Sequence, residues 1–485
     1  MLKPSLQEVS GFQNDYRVIP VCREIYADLV TPIVMLQKLS RLSKKYYLLE
    51  SIEGGERWGR YSFLGFDPVM NVTCRNHSLH ITGSMTKTIQ TDNPLEEIRK
   101  ILADYKSPSL PDMPSFTGGF VGYFAYEMFG YAEPVLRLKE SAFPELDLML
   151  FNKVIAYDHL KQKISVVVNM KTSDGEQGYR KAAEEIERIV EIITDSSPLP
   201  HPQADACPEF RCNVTKEQYC AMVERTKEYI RNGDIFQAVI SRRFEADYRP
   251  GLLNAYRVLR TTNPSPYMFF IENNEVQIAG TSPETLVKLT HGRLATFPVA
   301  GTRPRGKTEQ EDEALERELL ADEKELAEHN MLVDLARNDI GRIAEFCSVN
   351  VEAYQVIHRY SKVMHIASVV TGDLRQDKDA CDAVAAMLPA GTLSGAPKIR
   401  ACQIIDGLEP QARGIYGGAI GYLDFSGNMD VCIAIRMAVK KGDKVYVQAG
   451  AGIVADSVPE NEYEETANKA KAVIQAIQAA NEVNG

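Results

Sequence analysis

GIYGGAIGYLDFSGNMDVCIAIRMAVKKGDKVYVQAGAGIVAD, residues 414–456, is the stretch on which the fold turns. It contains three alternating runs separated by two compact turns, Ser426-Gly427-Asn428 and Lys441-Gly442-Asp443. Period-two runs joined by short glycine-containing loops read as antiparallel hairpins, so the stretch predicts a meander. In the middle run Val431, Ile433, Ile435 and Met437 share one face, and Cys432, Ala434, Arg436 and Ala438 share the other. An arginine among small residues has two readings. One is a half-exposed sheet surface; the other is a roomy cleft, where its planar fork suits a carboxylate.

Just downstream, NEYEETANKA (461–470) opens the last predicted helix, with Pro459 at its start. Glu462 and Glu465 share a face that continues through Lys469, Val473 and Ala476, which should pack inward. Like charges at this spacing destabilise a helix by about 0.2–0.5 kcal/mol. Acidic residues in a first turn are favoured by the helix dipole, and for this segment alone that is reason enough. Upstream, KELAEHNMLVDLARND (324–339) repeats the pattern: Glu325 and Glu328 head a stripe that runs through Leu332 and Leu335. The helical pattern begins near Glu311, which puts this pair mid-helix, where the dipole gives no reason for it. Two such pairs suggest carboxylates converging on a hard cation such as Mg²⁺, held by one or two carboxylates with substrate and water. A solvated acidic face is the other reading, because E-x-x-E is common.

The whole chain has 485 residues, a formal charge of −11, 44% hydrophobic and 25% charged residues, an ordinary globular composition. Its length allows two to four domains or one large α/β unit. The acidic balance argues against a general nucleic-acid binder. No apolar run approaches the roughly 18 residues of a membrane span. The start, MLKPSLQEVSGFQ, lacks a signal-peptide core, so a cytoplasmic location is expected. Nine scattered cysteines without a C-x-x-C pair read as reduced thiols. TDSSPLPHPQADACPEF (194–210) follows a helical stretch, GYRKAAEEIERIVEII. It reads as a linker or crossover between an N-terminal part (1–200) and a C-terminal part (210–485).

AGTRPRG (300–306), PAGTLSGAPK (389–398) and QAGAGIV (448–454) match neither a Walker A loop nor a dinucleotide fingerprint. Turns are their ordinary role, and backbone amides in such loops also bind anionic substrates. His365, in SKVMHIASVV, reads either as a satisfied core residue or as an acid/base group. No G-x-S-x-G elbow or comparable cysteine elbow is present, so nucleophilic hydrolysis is not supported.

Taken together, GDIFQAVISRRF, TSPE, FPVAGTRPRG, KELAEHNMLVDLARNDIGRI, KVMHIAS, GTLSGAPK, YGGAIGY, IAIRMA, QAGAGIVADS and EYEETANKA resemble the chorismate-utilising enzymes. The nearest match within them is the anthranilate synthase large subunits. The motifs run in family order across about residues 215–480, and LLES and GRYSFLG match more loosely in the N-terminal part. The resemblance implies an intertwined α/β (α+β) sandwich of two subdomains, with a large antiparallel β core flanked by helices. It implies formation of anthranilate and pyruvate from chorismate and ammonia, with Mg²⁺. The ammonia would come from glutamine through a partner amidotransferase subunit, giving a hetero-oligomer. The chain's lack of a glutaminase cysteine elbow agrees with a separate partner.

Residue by residue, Glu328 and Glu465 match the family's metal ligands, with Glu325 and Glu462 holding metal-bound waters. Gly301, Thr302, Tyr416, Arg436, Lys469 and the Gly450-Ala451-Gly452 backbone match substrate contacts. Arg436 would clasp the enolpyruvyl carboxylate. Glu284 matches the general acid for the departing 4-hydroxyl, which needs a raised pKa. His365 and Thr392 match residues near pyruvate elimination, with His365 helping to move the C2 proton. Gln237 stands where isochorismate and salicylate synthases carry a water-activating lysine, so ammonia is the expected nucleophile. Ala300 stands where aminodeoxychorismate synthases often carry a lysine. Glu50, Ser51, Pro266, Tyr267 and Met268 match the family's inhibitory L-tryptophan site. The rivals are an aminodeoxychorismate synthase large subunit and a silent tryptophan-sensing subunit.

Overall fold

The decisive stretch forms its two turns as expected, with Gly427 and Gly442 at φ of 89° and 58°. Its middle run, however, is not one strand. Met429–Ile433 pairs with Ala419–Asp424 and Thr285–Thr290, whereas Met437–Lys441 pairs with Val276–Ser282 and Lys444–Ile453. These two groups belong to different sheets. Between them Arg436 adopts φ of 53°, a left-handed conformation that breaks the alternation. The expectation that Arg436 shares a strand face with Cys432 and Ala438 is thus corrected. The chain steps from one sheet to the other at 434–436, and Arg436 sits at the step.

The computed structural model describes residues 2–12, 14–51, 59–198, 207–359 and 363–483. It is built on two antiparallel sheets. The first runs, strand by strand, 2–3, 18–26, 163–171, 153–158, 61–66, 45–50, 267–273, 276–282, 437–441, 444–453, 237–247 and 211–212. The second runs 299–304, 363–373, 293–296, 285–290, 429–433, 419–424, 119–124, 146–151, 70–75, 78–83 and 87–90. Both cross the chain midpoint: Lys45–Glu50 pairs with Tyr267–Asn273, and Gly119–Phe124 pairs with Ala419–Asp424. The predicted division near residues 200–210 is therefore bridged by hydrogen-bonded seams in each sheet. Residues 199–206 of the predicted linker lie outside the described residues.

The apolar faces of the two sheets meet in the main core, which includes Val72, Phe120, Phe151, Phe269, Ile278, Val287 and Val431. A second core lies between the outer face of the first sheet and helices Pro32–Leu39, Gly175–Thr194, Leu253–Thr262 and Pro459–Gln478. Helices also cover the second sheet, so helices flank the β core on both sides. Pro459 occupies the first turn of the last helix, as expected.

The other helix pair departs from expectation. Glu309–Ala321 stops, and Asp322 caps a new helix, Glu323–Gly341, accepting from the Lys324 and Glu325 amides at 3.1 and 3.2 Å. Glu325 is thus in a first turn and Glu328 in the second, not mid-helix. The cause is Asp322, a strong N-cap residue, and the dipole therefore favours Glu325 after all. All nine cysteines are free thiols, and among the described residues no helix is long and apolar enough to cross a membrane.

Candidate active site

Two glycine-bearing strand segments and two helix starts frame one cleft. Beyond Val447 the strand Lys444–Ile453 loses its neighbour Met437–Lys441, which leaves one edge of Gly450 without a strand partner. Lys469 Nζ donates to the Gly450 carbonyl at 3.1 Å, and a backbone hydrogen bond ties Gly450 to the Tyr416 hydroxyl. The fit is tight here: a Cβ on Gly450 would lie 3.0 Å from the Tyr416 hydroxyl, and one on Gly452 would lie 2.9 Å from Gln237 Nε2. Ala451 points its methyl the other way, into a buried cluster with Ile240 and Ile453, so only its backbone faces the cleft side. Gln237 Oε1 is buried with no hydrogen-bond partner.

Glu284 is recessed at the end of this cleft. Thr392 Oγ1 donates to Glu284 Oε1 at 2.9 Å. Burial pushes the Glu284 carboxyl up to about 7, against the opposing pull of Thr392 and Lys469. A carboxyl at that value is a competent proton donor near neutrality.

On the opposite wall, His365 Nδ1 lies 2.9 Å from the Gly301 carbonyl and 3.0 Å from Thr302 Oγ1. A carbonyl only accepts, so Nδ1 carries the proton and Nε2 is the basic nitrogen. Burial lowers the imidazole pKa, the bond to the Gly301 carbonyl opposes this, and Arg436 and His358 add to the lowering, so the ring is kept neutral. Gly301, at φ of 68°, passes so close to helix Glu323–Gly341 that a Cβ would lie 3.2 Å from the Glu325 carboxylate.

The carboxylates converge electrostatically. Glu328 is exposed at the lip of the cleft but has many protein atoms around it; this partial desolvation, then Glu325 and Glu465, push its carboxyl up. Burial raises Glu462 too, and Glu465 adds to it. Glu465 pairs with Lys469 at 2.6 Å. Arg436 is half-buried, with Tyr416 and Glu465 supporting its charge against burial. Arg436, Glu465, Lys469, Asn461, Glu464 and Asn468 line an open cleft of about 400 Å³. All sixteen residues predicted for catalysis, substrate and metal thus belong to one region. An oxygen-only set of mutually repelling carboxylates fits a hard cation such as Mg²⁺. Among the described residues no three metal-ligating side chains close around one point.

The five remaining predicted residues, Glu50, Ser51, Pro266, Tyr267 and Met268, line a separate cavity of about 140 Å³. Arg60, Lys288, Asp430 and Cys432 share its wall. The Glu50 carboxylate is fully engaged: Tyr256 donates at 2.6 Å, Arg260 at 2.9 and 3.1 Å, and Ser62 at 3.2 Å. Ser51 Oγ, in contrast, is buried without a partner.

The chorismate binding enzyme family matches residues 44–475 of this chain. The chain belongs to that family. Anthranilate synthase component 1 of Acetivibrio thermocellus is 47% identical over 100% of both chains, and that of Aquifex aeolicus (strain VF5) is 46% identical over 99% of both. The crystal structure of anthranilate synthase component I from Streptococcus pneumoniae TIGR4 superposes with a TM-score of 0.79 at 38% identity. It covers 93% of this chain and 99% of its own.

Sequence reasoning on this chorismate-binding chain missed the buried pair behind the cleft. Arg413 Nη2 and Nε meet Glu409 at 2.6 and 2.9 Å, and the same guanidinium donates to the Leu393 and Val239 carbonyls. Glu409 also accepts from Ser241 N and Oγ at 2.7 and 2.9 Å. The pair thus ties the Thr392 loop to the strand that carries Gln237. Its only signal was a Glu and an Arg four apart in EPQAR, which Pro410 removes from the helical reading.

Proposed function

We propose that this chain converts chorismate and ammonia into anthranilate, pyruvate and water, as the large subunit of an anthranilate synthase. The observation that carries the reading is Glu284: a recessed carboxyl, held by Thr392 at 2.9 Å and raised to about 7, within electrostatic reach of Lys469, which lines the Arg436 cleft. Full-length likeness to proteins named anthranilate synthase component 1 supports it.

In this reading Arg436 and the Gly450 edge bind the carboxylates of chorismate. Glu284 protonates the 4-hydroxyl, which leaves as water while ammonia bonds to C2. Gln237 has no basic atom with which to activate water, so it favours an amine nucleophile. His365 Nε2 then takes the C2 proton, the enolpyruvyl C–O bond breaks, and the ring becomes aromatic. Thr392 holds the Glu284 carboxyl in place through both steps. Glu328 and Glu465 would hold Mg²⁺, with Glu325 and Glu462 on its waters; when bound, the ion neutralises the ring carboxylate. A partner amidotransferase subunit supplies ammonia from glutamine, consistent with the component 1 name of the relatives. The Ser51 cavity takes L-tryptophan as feedback inhibitor, its unpartnered hydroxyl meeting the amino acid's polar end. A cytoplasmic setting suits this role.

The test is fluorescence of the purified chain with chorismate, ammonium and Mg²⁺, with and without L-tryptophan. Anthranilate fluorescence that EDTA abolishes and tryptophan suppresses is expected. Chorismate consumption without anthranilate would overturn the reading in favour of an aminodeoxychorismate synthase, and absence of consumption would overturn it altogether.

A further inference from the structure

The cavity beneath Ser51 and the catalytic cleft share a wall one strand thick. Strand Met429–Ile433 supplies Asp430 and Cys432 to the Ser51 cavity, while Ile433 lines a recess of about 40 Å³ that also holds Glu284, Thr285 and Thr392. In register, Thr285 faces Cys432, and the ladder slips between Thr285 and Val287. The Ile433 amide donates to the Glu284 carbonyl at 2.9 Å. Glu284 therefore lies just before the strand Thr285–Thr290, its carbonyl held by Ile433, the neighbour in sequence of the cavity-wall residue Cys432.

One side-chain contact crosses that wall. The Tyr267 hydroxyl, on the cavity side, donates to Asp430 Oδ1 at 2.8 Å and lies 2.9 Å from Thr285 Oγ1. A phenol has a single proton, and here it goes to the carboxylate, so Thr285 donates to Tyr267. The second oxygen of Asp430 faces Lys288 at 3.4 Å, which holds the acceptor in place. The result is a continuous path: Tyr267 to Thr285, across one peptide to Glu284, and from Glu284 to Thr392.

We propose that Thr285 is a positioning residue. Its hydroxyl, held by Tyr267, sets the backbone of Glu284 and conveys to the proton donor the state of the Ser51 cavity. The proposal rests on the reading of that cavity as a tryptophan site. A ligand there acts only through contacts that differ between two arrangements of the wall. Tyr267 is a cavity residue whose side chain bonds Thr285, next to Glu284, so a ligand that turns its ring re-aims the Thr285 bond.

The experiment compares wild type, Thr285→Val and Thr285→Ser in two readouts: calorimetric titration with L-tryptophan, and the rate of anthranilate formation with and without saturating tryptophan. Thr285→Val removes the hydroxyl but leaves the Tyr267–Asp430 bond. It should bind tryptophan with a Kd within about threefold of wild type, while the inhibition factor falls at least about fivefold, the lower end of ordinary allosteric coupling. Thr285→Ser should keep both. A role in stability alone would leave inhibition of the folded variant unchanged, and that result overturns the proposal. If Thr285→Val does not fold, Tyr267→Phe breaks the same bond from the other side, and undiminished inhibition of that variant also overturns it. Absence of tryptophan binding to wild type overturns the reading of the cavity itself, an outcome the calorimetric arm separates from a failure of coupling.

Discussion

The Arg436 cleft and the Ser51 cavity are both lined with charged groups, and they treat charge in opposite ways. In the cavity, Glu50 is completely buried and completely satisfied by Tyr256, Arg260 and Ser62. Its charges build the wall. In the cleft, burial and then the neighbouring carboxylates push Glu328 and Glu462 up, and Gln237 Oε1 has no partner. Among the described residues Arg436 makes no ion pair. Buried polar groups are nearly always satisfied within the fold, so the unpartnered Gln237 Oε1 and the unpaired Arg436 mark where ligand is to supply partners.

The sharpest way to break this contrast is at Glu284, whose raised pKa has no structural purpose if the cleft is not catalytic. Glu284→Gln should lower kcat by about 10²–10⁴-fold, the usual worth of a positioned proton donor. The acid must be protonated to act, and burial raises its pKa to about 7. The wild-type rate, measured at constant free ammonia, should therefore hold below about pH 7 and fall as pH rises through it. The falling limb should vanish in Glu284→Gln. A variant that keeps the limb would assign the proton to another group.

The converse test is at the cavity. Arg260→Ala strands a buried carboxylate, and breaking a buried pair in this way destabilises by about 3–5 kcal/mol. Arg260 reaches solvent while Glu50 does not, so the lower end, about 3 kcal/mol, is expected in urea unfolding. A loss below about 1 kcal/mol, the level of an exposed pair, would mean that the Glu50 charge is not structural.

The two regions also differed in how far the chain itself disclosed them. Glu462, Glu465 and Lys469 could be placed on one helix face because Pro459 starts the helix and the apolar stripe behind them has helical spacing. The turns at Gly427 and Gly442 were legible for a similar reason, since glycine marks the positive φ. The motifs that carry the resemblance placed the remaining cleft residues. The break at Asp322 escaped because Ala321-Asp322-Glu323 contains no Gly or Pro, and Asp serves equally well on a helix surface. The step at Arg436 escaped because both sheets bury their inner faces, so the residue types go on alternating while the chain changes sheet. Pairs such as Arg260–Glu50 and Tyr267–Asp430 join residues far apart in sequence, and no local periodicity records them.

That unrecorded step yields the smallest effect and the cleanest separation of fold from function. A non-glycine residue in the left-handed region is disfavoured by roughly 1–2 kcal/mol, and a bulky one is worth reading as a sign of function. Arg436→Gly relieves this, while the unfolded-chain freedom of glycine takes back roughly 0.5–1 kcal/mol. The variant should therefore unfold no more easily than wild type, with a net gain of roughly 0–1.5 kcal/mol. Its KM for chorismate should rise at least about tenfold, because charge-assisted hydrogen bonds worth about 1.5–3 kcal/mol are lost. Stability and binding would then move in opposite directions at one residue, as expected of a side chain retained for its ligand. If Arg436→Gly instead lost more than about 1 kcal/mol in urea unfolding, the guanidinium would be part of the seam between the sheets, and the division into charges that build and charges that wait would fail where the sheets meet.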